Sequence, residues 1–477
     1  MCEITMSPEE EESQPKCKLG VRHIQFVLLF LTLIMNYGQR TSISVAIIAM
    51  TEKTPPGPDI HTYPQWKDTD TILSSFFWGY IVTQVGAGQL GERFGPKWFL
   101  VGTMVLGSIV MCLTTVMAQA WGSAGVITCQ IIQGLNQGFL CPCVHILISQ
   151  WAPLNERTRF SIIVYSGQSL GIVISMLSTG AISGSKLGWP YVFYFYGAGG
   201  IVWAIIFGMF AANSPADHKS ISAEERRYIE STNSVIQTKT KIPTPWLSIA
   251  TSLPFWAALA ASCAENWGSY TLITEIPSFM DSVMNYDINS NSQLSALPYM
   301  VTFFVNFVSS PISDKLISSK TLSIGTTRKI FNSLGTLVPG CALFALGFID
   351  STQKGVAVGL LVVSVAMSAC ADAGGFVNTI DLAPNHVGTL LGITNGTGQI
   401  FSILAPLTVG FLGSDKTDLM LWRKVFWIAA GIYVFCGLFF NIFASGEVQK
   451  WNDVKSTDKC ESESEEKSNE NLKFLGE

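Results

Sequence analysis

The chain has 477 residues, of which 48% are hydrophobic and 13% are charged. This charged fraction is about half of that in ordinary globular proteins, so the composition excludes a water-soluble domain and indicates a membrane protein. The formal net charge of −5 carries no basic excess, and nucleic acid is not an expected partner.

About twelve apolar runs, each of the length that a membrane helix needs, follow one another along the chain. They begin near Ile24, Thr71, Trp98, Gly122, Phe160, Trp189, Leu253, Ser292, Lys329, Gly355, Val387 and Trp422. Lipid offers the backbone no hydrogen-bonding partners, and the runs are too long for barrel strands. The pattern predicts an all-α membrane protein with twelve transmembrane helices in two six-helix bundles.

The polar intervals divide the chain into five parts. We predict an N-terminal tail over 1–23, a six-helix bundle over 24–211, a central loop over 212–252, a second bundle over 253–445 and an acidic tail over 446–477. Lys and Arg are about three times as frequent in the intervals on the side of the N-terminus, which predicts that both termini are cytosolic. The pattern does not distinguish the plasma membrane from an endolysosomal or vesicular membrane.

Arg40 is the one basic residue in the middle of a long apolar stretch, 24–50. An arginine at the bilayer midplane costs roughly 3 kcal/mol on insertion scales, so such a residue usually faces a carboxylate, a water-filled cavity or an anionic ligand. Its guanidinium stays protonated and offers a planar fork to an anion, which makes Arg40 the candidate anion-binding residue. The alternatives are snorkelling to the membrane interface and a permanent ion pair with Glu265 or Asp372.

Two loops at equivalent places in the two halves carry candidate gating residues. After the second run these are Gly88, Glu92, Arg93, Gly95 and Lys97, and after the eighth run they are Asp314 and Lys315. Glycines allow helices to approach closely, and the charged side chains can pair with each other and with helix ends. Contacts of this kind, broken when two halves rock, would form a two-state gate.

The first loop resembles, with Glu92 in place of Asp, the G-x-x-x-D-R-x-G-x-K signature of the major facilitator superfamily. Further segments resemble its anion/cation symporter family: NYGQR at 36–40, SSFFWGY at 74–80, QWAP at 150–153, DLAP at 381–384 and GEVQKW at 446–451. The family holds the type I sodium/phosphate cotransporters, sialin and the vesicular glutamate transporters. LGVRHI at 19–24 is similar to invertebrate members labelled as inorganic phosphate cotransporters.

The resemblance covers nearly the whole chain, 19–451, and implies that helices from the first, fourth, seventh and tenth runs line a central cavity. The costly polar side chains of this chain concentrate on those runs. The predicted substrate-binding residues are Arg40, Asn36, Tyr37, Gln130, Gln137, Asn266 and Asn378. The predicted cation-coupling residues are Glu265, Asp372 and His145, with a carboxylate reaching water near a helix end and a histidine held by packing as the alternatives.

Several positions depart from relatives in the family. Where vesicular glutamate transporters carry charges on the fourth helix and an arginine on the seventh, this chain has Gln130, Gln137 and Glu265, so glutamate filling of vesicles is not expected. Cys141-Pro142-Cys143 predicts helix packing with a proline kink in preference to chemistry. The cysteine spacing does not suit a metal, and no cofactor is expected besides a coupling ion, sodium or proton.

The sequence therefore predicts a secondary active transporter, functional as a monomer, that moves a small organic or inorganic anion across a membrane. An uncoupled uniporter or exchanger and a transport-inactive receptor on the same fold stay open as alternatives. An enzyme is not expected, because the chain shows no His-rich or zinc-type cluster. The substrate, the coupling ion, its stoichiometry and the direction of transport are not set by the pattern.

Overall fold

A computed structural model describes residues 20–53, 60–153, 156–237, 244–413 and 415–453. Its α-helices are α1 (Val21–Thr51), α2 (Thr69–Phe94), α3 (Pro96–Gln137), α4 (Leu140–Trp151), α5 (Arg157–Ser183), α6 (Trp189–Phe210), α7 (Ala223–Gln237), α8 (Trp246–Ala250), α9 (Leu253–Ser282), α10 (Ile288–Ser318), α11 (Ile324–Leu346), α12 (Lys354–Ser368), α13 (Val377–Leu382), α14 (Val387–Leu412) and α15 (Leu419–Phe443). These residues contain no β-strand, which agrees with the predicted all-α class.

The third, fourth and tenth predicted runs are not single regular helices in the structure. α3 is 42 residues long, and its helical geometry is broken at Gly122, with φ 61° and ψ −142°. Glycine adopts this positive φ without steric cost, so the third run turns directly into the fourth at Gly122. The tenth run consists of α12, a π turn at Asp372–Phe376 and α13.

Eight stretches of the described chain are long and apolar enough to cross a membrane, and one of them, 96–151, contains both the third and the fourth runs. Apart from the short α7 and α8, the helices outside this set are α2, α9 and α14, which have 26, 30 and 26 residues. At about 1.5 Å per residue each is long enough to cross. They are less apolar because α14 packs against both α2 and α9 in the interior. The predicted all-α membrane class is confirmed, and the twelve membrane helices in two bundles stay a prediction with which these helices are consistent.

Among the described residues, three helix pairs make most of the contact between the two halves. α1 packs on α9, α2 on α14 and α5 on α10. The hydroxyl of Ser74 donates a hydrogen bond of 3.0 Å to the carbonyl oxygen of Ile403 across the second pair. A Cβ at Gly180 of α5 would overlap the side chain of Ser292 of α10, so the third pair depends on a missing side chain for its close approach.

Within the first half, Gly79 and Gly134 bring α2 and α3 into backbone contact. A Cβ at Gly134 would overlap the carbonyl oxygen of Phe76, and backbone cannot rotate away as a side chain can. We expect Gly134→Ala to cost about 1–3 kcal/mol of stability and to lower the unfolding temperature of the purified protein by a few degrees. Differential scanning fluorimetry in detergent measures this shift.

Gly102→Ala is the matched control, because a Cβ at Gly102 on the same helix would meet nothing within 4 Å. Alanine is also the better helix former, so this variant should unfold at the wild-type temperature or above it. Equal unfolding temperatures for the two variants would show that the α2–α3 crossing is not tightly packed.

Buried ion pairs lie at the end of the molecule where α1 begins, which we name the central-loop end. Arg22 pairs with Glu156 at 3.1 Å and with Glu225 of α7 at 3.3 Å. Arg328 pairs with Asp381 at 2.7 Å. The Arg22–Glu225 pair ties the central loop to the first half, whereas the Arg328–Asp381 pair joins helices of the second half only.

Candidate functional site

Arg40 lies near the middle of α1 and is only 8% exposed. Five aromatic rings surround its guanidinium carbon at centroid distances of 4.5 Å for Phe76, 4.8 Å for Tyr270, 5.0 Å for Phe77, 5.2 Å for Tyr80 and 5.4 Å for Tyr37. We name these rings the aromatic cage. Each cation–π contact is worth about 0.5–2 kcal/mol, so the rings stabilise the cation without neutralising its charge.

The charge of Arg40 is unpaired within the described part of the chain. Its guanidinium forms no ion pair there, and its Nη2 is buried without a hydrogen-bond partner. An arginine that snorkelled would be exposed, and one locked to Glu265 or Asp372 would be within reach of a carboxylate, so neither alternative describes this structure. A buried donor without an acceptor costs about 1–3 kcal/mol, more when charged, which favours an incoming anion.

Both halves of the molecule build the cage. Phe76, Phe77 and Tyr80 share one face of α2, since residues three and four apart are neighbours on a helix. Tyr270 comes from α9 of the second half, and its ring meets Phe77 edge to face at 4.7 Å. Beside Arg40 the remaining cavity is about 20 Å³, which is room for about one water molecule.

Among the predicted substrate-binding residues, Tyr37 lies beside Arg40. The side chains of Asn36 and Gln137 instead form hydrogen bonds within the first half. The Asn36 amide donates to the Thr32 carbonyl oxygen at 2.9 Å. The Gln137 amide donates to the Asn36 carbonyl oxygen at 3.3 Å. Gln130 of α3 is also buried.

The two predicted substrate-binding residues of the second half are likewise held by neighbouring helices. Asn266 of α9 accepts a hydrogen bond of 3.3 Å from the hydroxyl of Ser402 on α14. Asn378 of α13 donates one of 2.8 Å to the carbonyl oxygen of Ser445, beyond the end of α15. Binding roles for both residues stay predictions.

A break in the fourth run places a further residue at the cage. α3 ends at Gln137 and α4 begins at Leu140, close to Pro142, as the predicted proline kink requires. The hydroxyl of Tyr80 donates to the sulfur of Cys141 at 3.7 Å. Of the cage residues only Tyr37 was predicted as a site residue. The sequence prediction missed Phe76, Phe77, Tyr80, Tyr270 and Cys141, although the aromatic segment at 74–80 was a signal for the first three.

The structure brings two predicted cation-coupling residues together. Glu265 Oε1 accepts a hydrogen bond of 2.6 Å from Ser269, and its Oε2 is buried without a partner. Asp372 is exposed in the π turn and lies close enough to Glu265 for electrostatic interaction. π turns occur often at functional sites. His145 lies apart in the first half, exposed, with its ring 5.0 Å from Tyr165.

The predicted gating loops lie at the central-loop end. Gly95 has a φ of 87°, and the Lys97 backbone N–H after it donates to Asn213 Oδ1 at 2.9 Å. A Cβ at Gly88 would meet nothing within 4 Å. Arg93, Asp314 and Lys315 are exposed, and the side chain of Glu92 lies outside the described residues. The gating role of all seven residues stays a prediction.

A second charged cluster, which sequence reasoning missed, lies at the opposite end, where α1 ends and α2 begins. Lys416 Nζ contacts Asp70 Oδ1 at 2.6 Å and Glu275 Oε2 at 3.5 Å. We name these three residues the ion triad. Burial disfavours the ammonium, yet Glu275 and Asp70 hold the pKa of Lys416 above its ordinary value. Asp70 belongs to the first half and the other two to the second, so the triad joins the halves.

Comparisons with known proteins match nearly the whole chain. The Major Facilitator Superfamily profile matches residues 29–406. A Drosophila melanogaster protein named "Putative inorganic phosphate cotransporter" is 35% identical, over 93% of this chain and 89% of its own. Human sialin is 34% identical over 92% of each chain. Vesicular glutamate transporter 3 of Danio rerio is 35% identical over 93% of this chain and 76% of its own.

Solved structures support the same fold. The D-xylose-proton symporter superposes with a TM-score of 0.68 at 16% identity, over 89% of this chain and 98% of its own. A bacterial homologue of the human lysosomal transporter Spinster, in an inward-facing and occupied conformation, gives 0.66 at 15% identity, over 88% and 96%. The chain is thus a multi-pass membrane protein that belongs to the Major Facilitator Superfamily, in its anion/cation symporter group.

Proposed function

We propose that this protein is a secondary active transporter that moves a small anion across a membrane by alternating access. The observation that carries the proposal is the buried guanidinium of Arg40, held by rings from both halves and free of any ion pair in the described chain. A site between two repeats near the bilayer midplane is the arrangement that alternating access uses. Two of the relatives are named for phosphate and glutamate, which are both anions.

We assign the observed conformation to a state that is closed at the end where α1 ends and α2 begins. There the cage covers Arg40 and the ion triad joins the halves. His145 and Asp372 are exposed although each lies well inside its run, which suits a vestibule reaching the central-loop end. With both termini cytosolic, this end faces the cytosol, and the bundles 24–211 and 253–445 rock as units.

Coupling to a cation is assigned to the carboxylate pair. The π turn of Asp372 packs against α9, the helix of Glu265, and the two carboxylates influence each other electrostatically. A proton or sodium ion bound between them would relieve their repulsion. His145 has the right chemistry for a proton carrier near neutral pH. Its ring lies 5.0 Å from that of Tyr165 on α5.

Purified protein in liposomes tests the function directly. Labelled phosphate, urate, sialate, glutamate and aspartate are offered one at a time under an imposed proton gradient and, separately, an imposed sodium gradient. The proposal expects at least one anion to accumulate above its equilibrium level, unlike in protein-free liposomes. Equilibration without accumulation would indicate the uncoupled uniporter or exchanger, and no flux of any anion would indicate the receptor.

Glu265→Gln is expected to uncouple transport while anion binding survives. Glutamine keeps the shape and accepts the Ser269 hydrogen bond but carries no charge for a cation to neutralise. Accumulation under the gradient should fall at least tenfold, while equilibrium exchange of labelled anion persists. Glu230→Gln on the exposed face of α7 is the control. Normal gradient dependence in Glu265→Gln would move the coupling role to Asp372 or His145.

A further inference from the structure

The ion triad carries more negative than positive charge. Lys416 is the one cation that contacts Asp70 and Glu275 in the described chain, so one ammonium faces two carboxylates. With all three groups ionised, one negative charge at the interface of the halves is left without a partner. Glu275 is only 1% exposed, so water does not solvate it in this conformation. A buried charge of this kind is costly, and a carboxylate in such a place usually takes up a proton instead.

Of the two carboxylates, Asp70 is the better stabilised as an anion. Its Oδ1 lies 2.6 Å from Lys416 Nζ, and it belongs to the first turn of α2, where the helix dipole stabilises a negative charge. Glu275 Oε2 lies 3.5 Å from the same nitrogen, and neither oxygen of Glu275 has a hydrogen-bond partner in the described chain. Glu275 also lies inside α9, away from both helix ends. The excess negative charge therefore falls on Glu275.

In the described chain, the helices packed against α9 supply no second cation to Glu275. α14 carries no charged residue. Glu52, just after α1, interacts electrostatically with Asp281 of α9, which adds two more carboxylates from opposite halves at this end. Arg423 of α15 interacts with Asp350. The remaining charged residues at this end of α1, α10 and α15 are exposed: Lys53, Asp287, Asp418 and Lys424.

We propose that the ion triad is a proton-binding site: in the closed conformation a proton from the compartment at the opposite end occupies Glu275 Oε1, and its return to water accompanies opening of that end. The bound proton leaves Lys416 and Asp70 as a neutral pair. The closed state then holds one proton more than the open state, so a lower pH favours closure, by up to about tenfold per pH unit. This inference rests on the opening motion of the proposed function and adds a proton site apart from Glu265 and Asp372.

Hydrogen–deuterium exchange of the purified full-length chain in detergent measures opening at this end. Peptides covering 69–75 and 271–282 report it, with rates corrected for the intrinsic pH dependence of amide exchange. In the wild type these peptides should exchange roughly fivefold faster, or more, at about pH 8 than at about pH 6. Glu275→Gln is neutral at every pH, and Asp70→Asn leaves one carboxylate for one ammonium, so both variants should lose this response. A wild-type response in either variant would overturn the inference.

Infrared difference spectra detect the proton itself. At the lower pH, Glu275→Gln should lack one protonated-carboxyl band that the wild type shows, and an unchanged carboxyl region would also overturn the inference. Glu52→Gln is the matched control, because it makes the same substitution at the same end on an exposed carboxylate outside the triad, and it should keep the pH response. Anion accumulation in liposomes by a protein whose exchange does not respond to pH would overturn the inference alone and leave the transport function standing.

Discussion

Anion uptake by Arg40→Gln is expected to fall at least 10- to 100-fold while the protein stays folded and correctly inserted. A hydrogen bond to a charged group is worth about 1.5–3 kcal/mol, and each 1.4 kcal/mol is a factor of ten. The loss should follow from binding, because the guanidinium has no described ionic partner that its removal would leave unpaired. Initial uptake rates in proteoliposomes measure the effect.

Stability separates this loss from misfolding. Glutamine removes a buried cation, so the unfolding temperature of Arg40→Gln should not fall. Arg40→Lys keeps the charge but loses the planar fork, and intermediate uptake is expected. Arg226→Gln on the exposed face of α7 is the control and should transport normally. Wild-type uptake kinetics in Arg40→Gln would remove Arg40 from the site.

Lys416→Met is expected to slow net uptake at least tenfold by opening the ion triad. Without the ammonium, Asp70 and the 1% exposed Glu275 would face each other as buried, uncompensated charges. Removing one partner of a buried pair costs about 3–5 kcal/mol, which is enough to shift a two-state equilibrium strongly away from closure at the opposite end. The measurement is the uptake rate in liposomes at matched protein density.

A second substitution identifies the cause. Adding Asp70→Asn to Lys416→Met removes one of the two like charges, so uptake should recover in part, which a local packing defect would not allow. Lys424→Met, at the same end and exposed, is the control for loss of a lysine. Equal uptake in Lys416→Met and Lys424→Met would show that the triad does not hold the halves together.

Much of the fold follows from hydropathy, because lipid leaves an apolar run no option but a helix. The reversal at Gly122 and the break before Pro142 were both marked by residues that interrupt helices. The π turn at Asp372–Phe376 contains the glycine pair Gly374-Gly375, but such a pair does not specify a π turn. It depends on how the tenth run packs against α11, where a Cβ at Gly374 would overlap the backbone of Asn332.

The sequence indicated the charged residue of the candidate site, Arg40, but not the aromatic residues that surround it. Arg40 stood out because a midplane cation is costly. Phe76 and Tyr270 are apolar enough to face lipid, core or cavity equally well, and only the packing of α2 and α9 decides between them. The hydrogen bond that Asn378 donates to Ser445 could not be predicted from the sequence either, and its binding role stays a prediction. Lys416 and Asp70 are far apart in sequence, and only tertiary structure pairs them.

In the alternating-access cycle that we propose, the placement of the ionic contacts affects the energetics of rocking. At the central-loop end, Arg22 and Arg328 bind partners that travel with the same half, so parting the halves there leaves these bonds intact. The triad joins the two halves at the opposite end, so its ionic contacts must break before that end can open. Among the described residues, the electrostatic work of a transport cycle thus falls on one side of the bilayer, and the ionic conditions of that compartment alone should tune it.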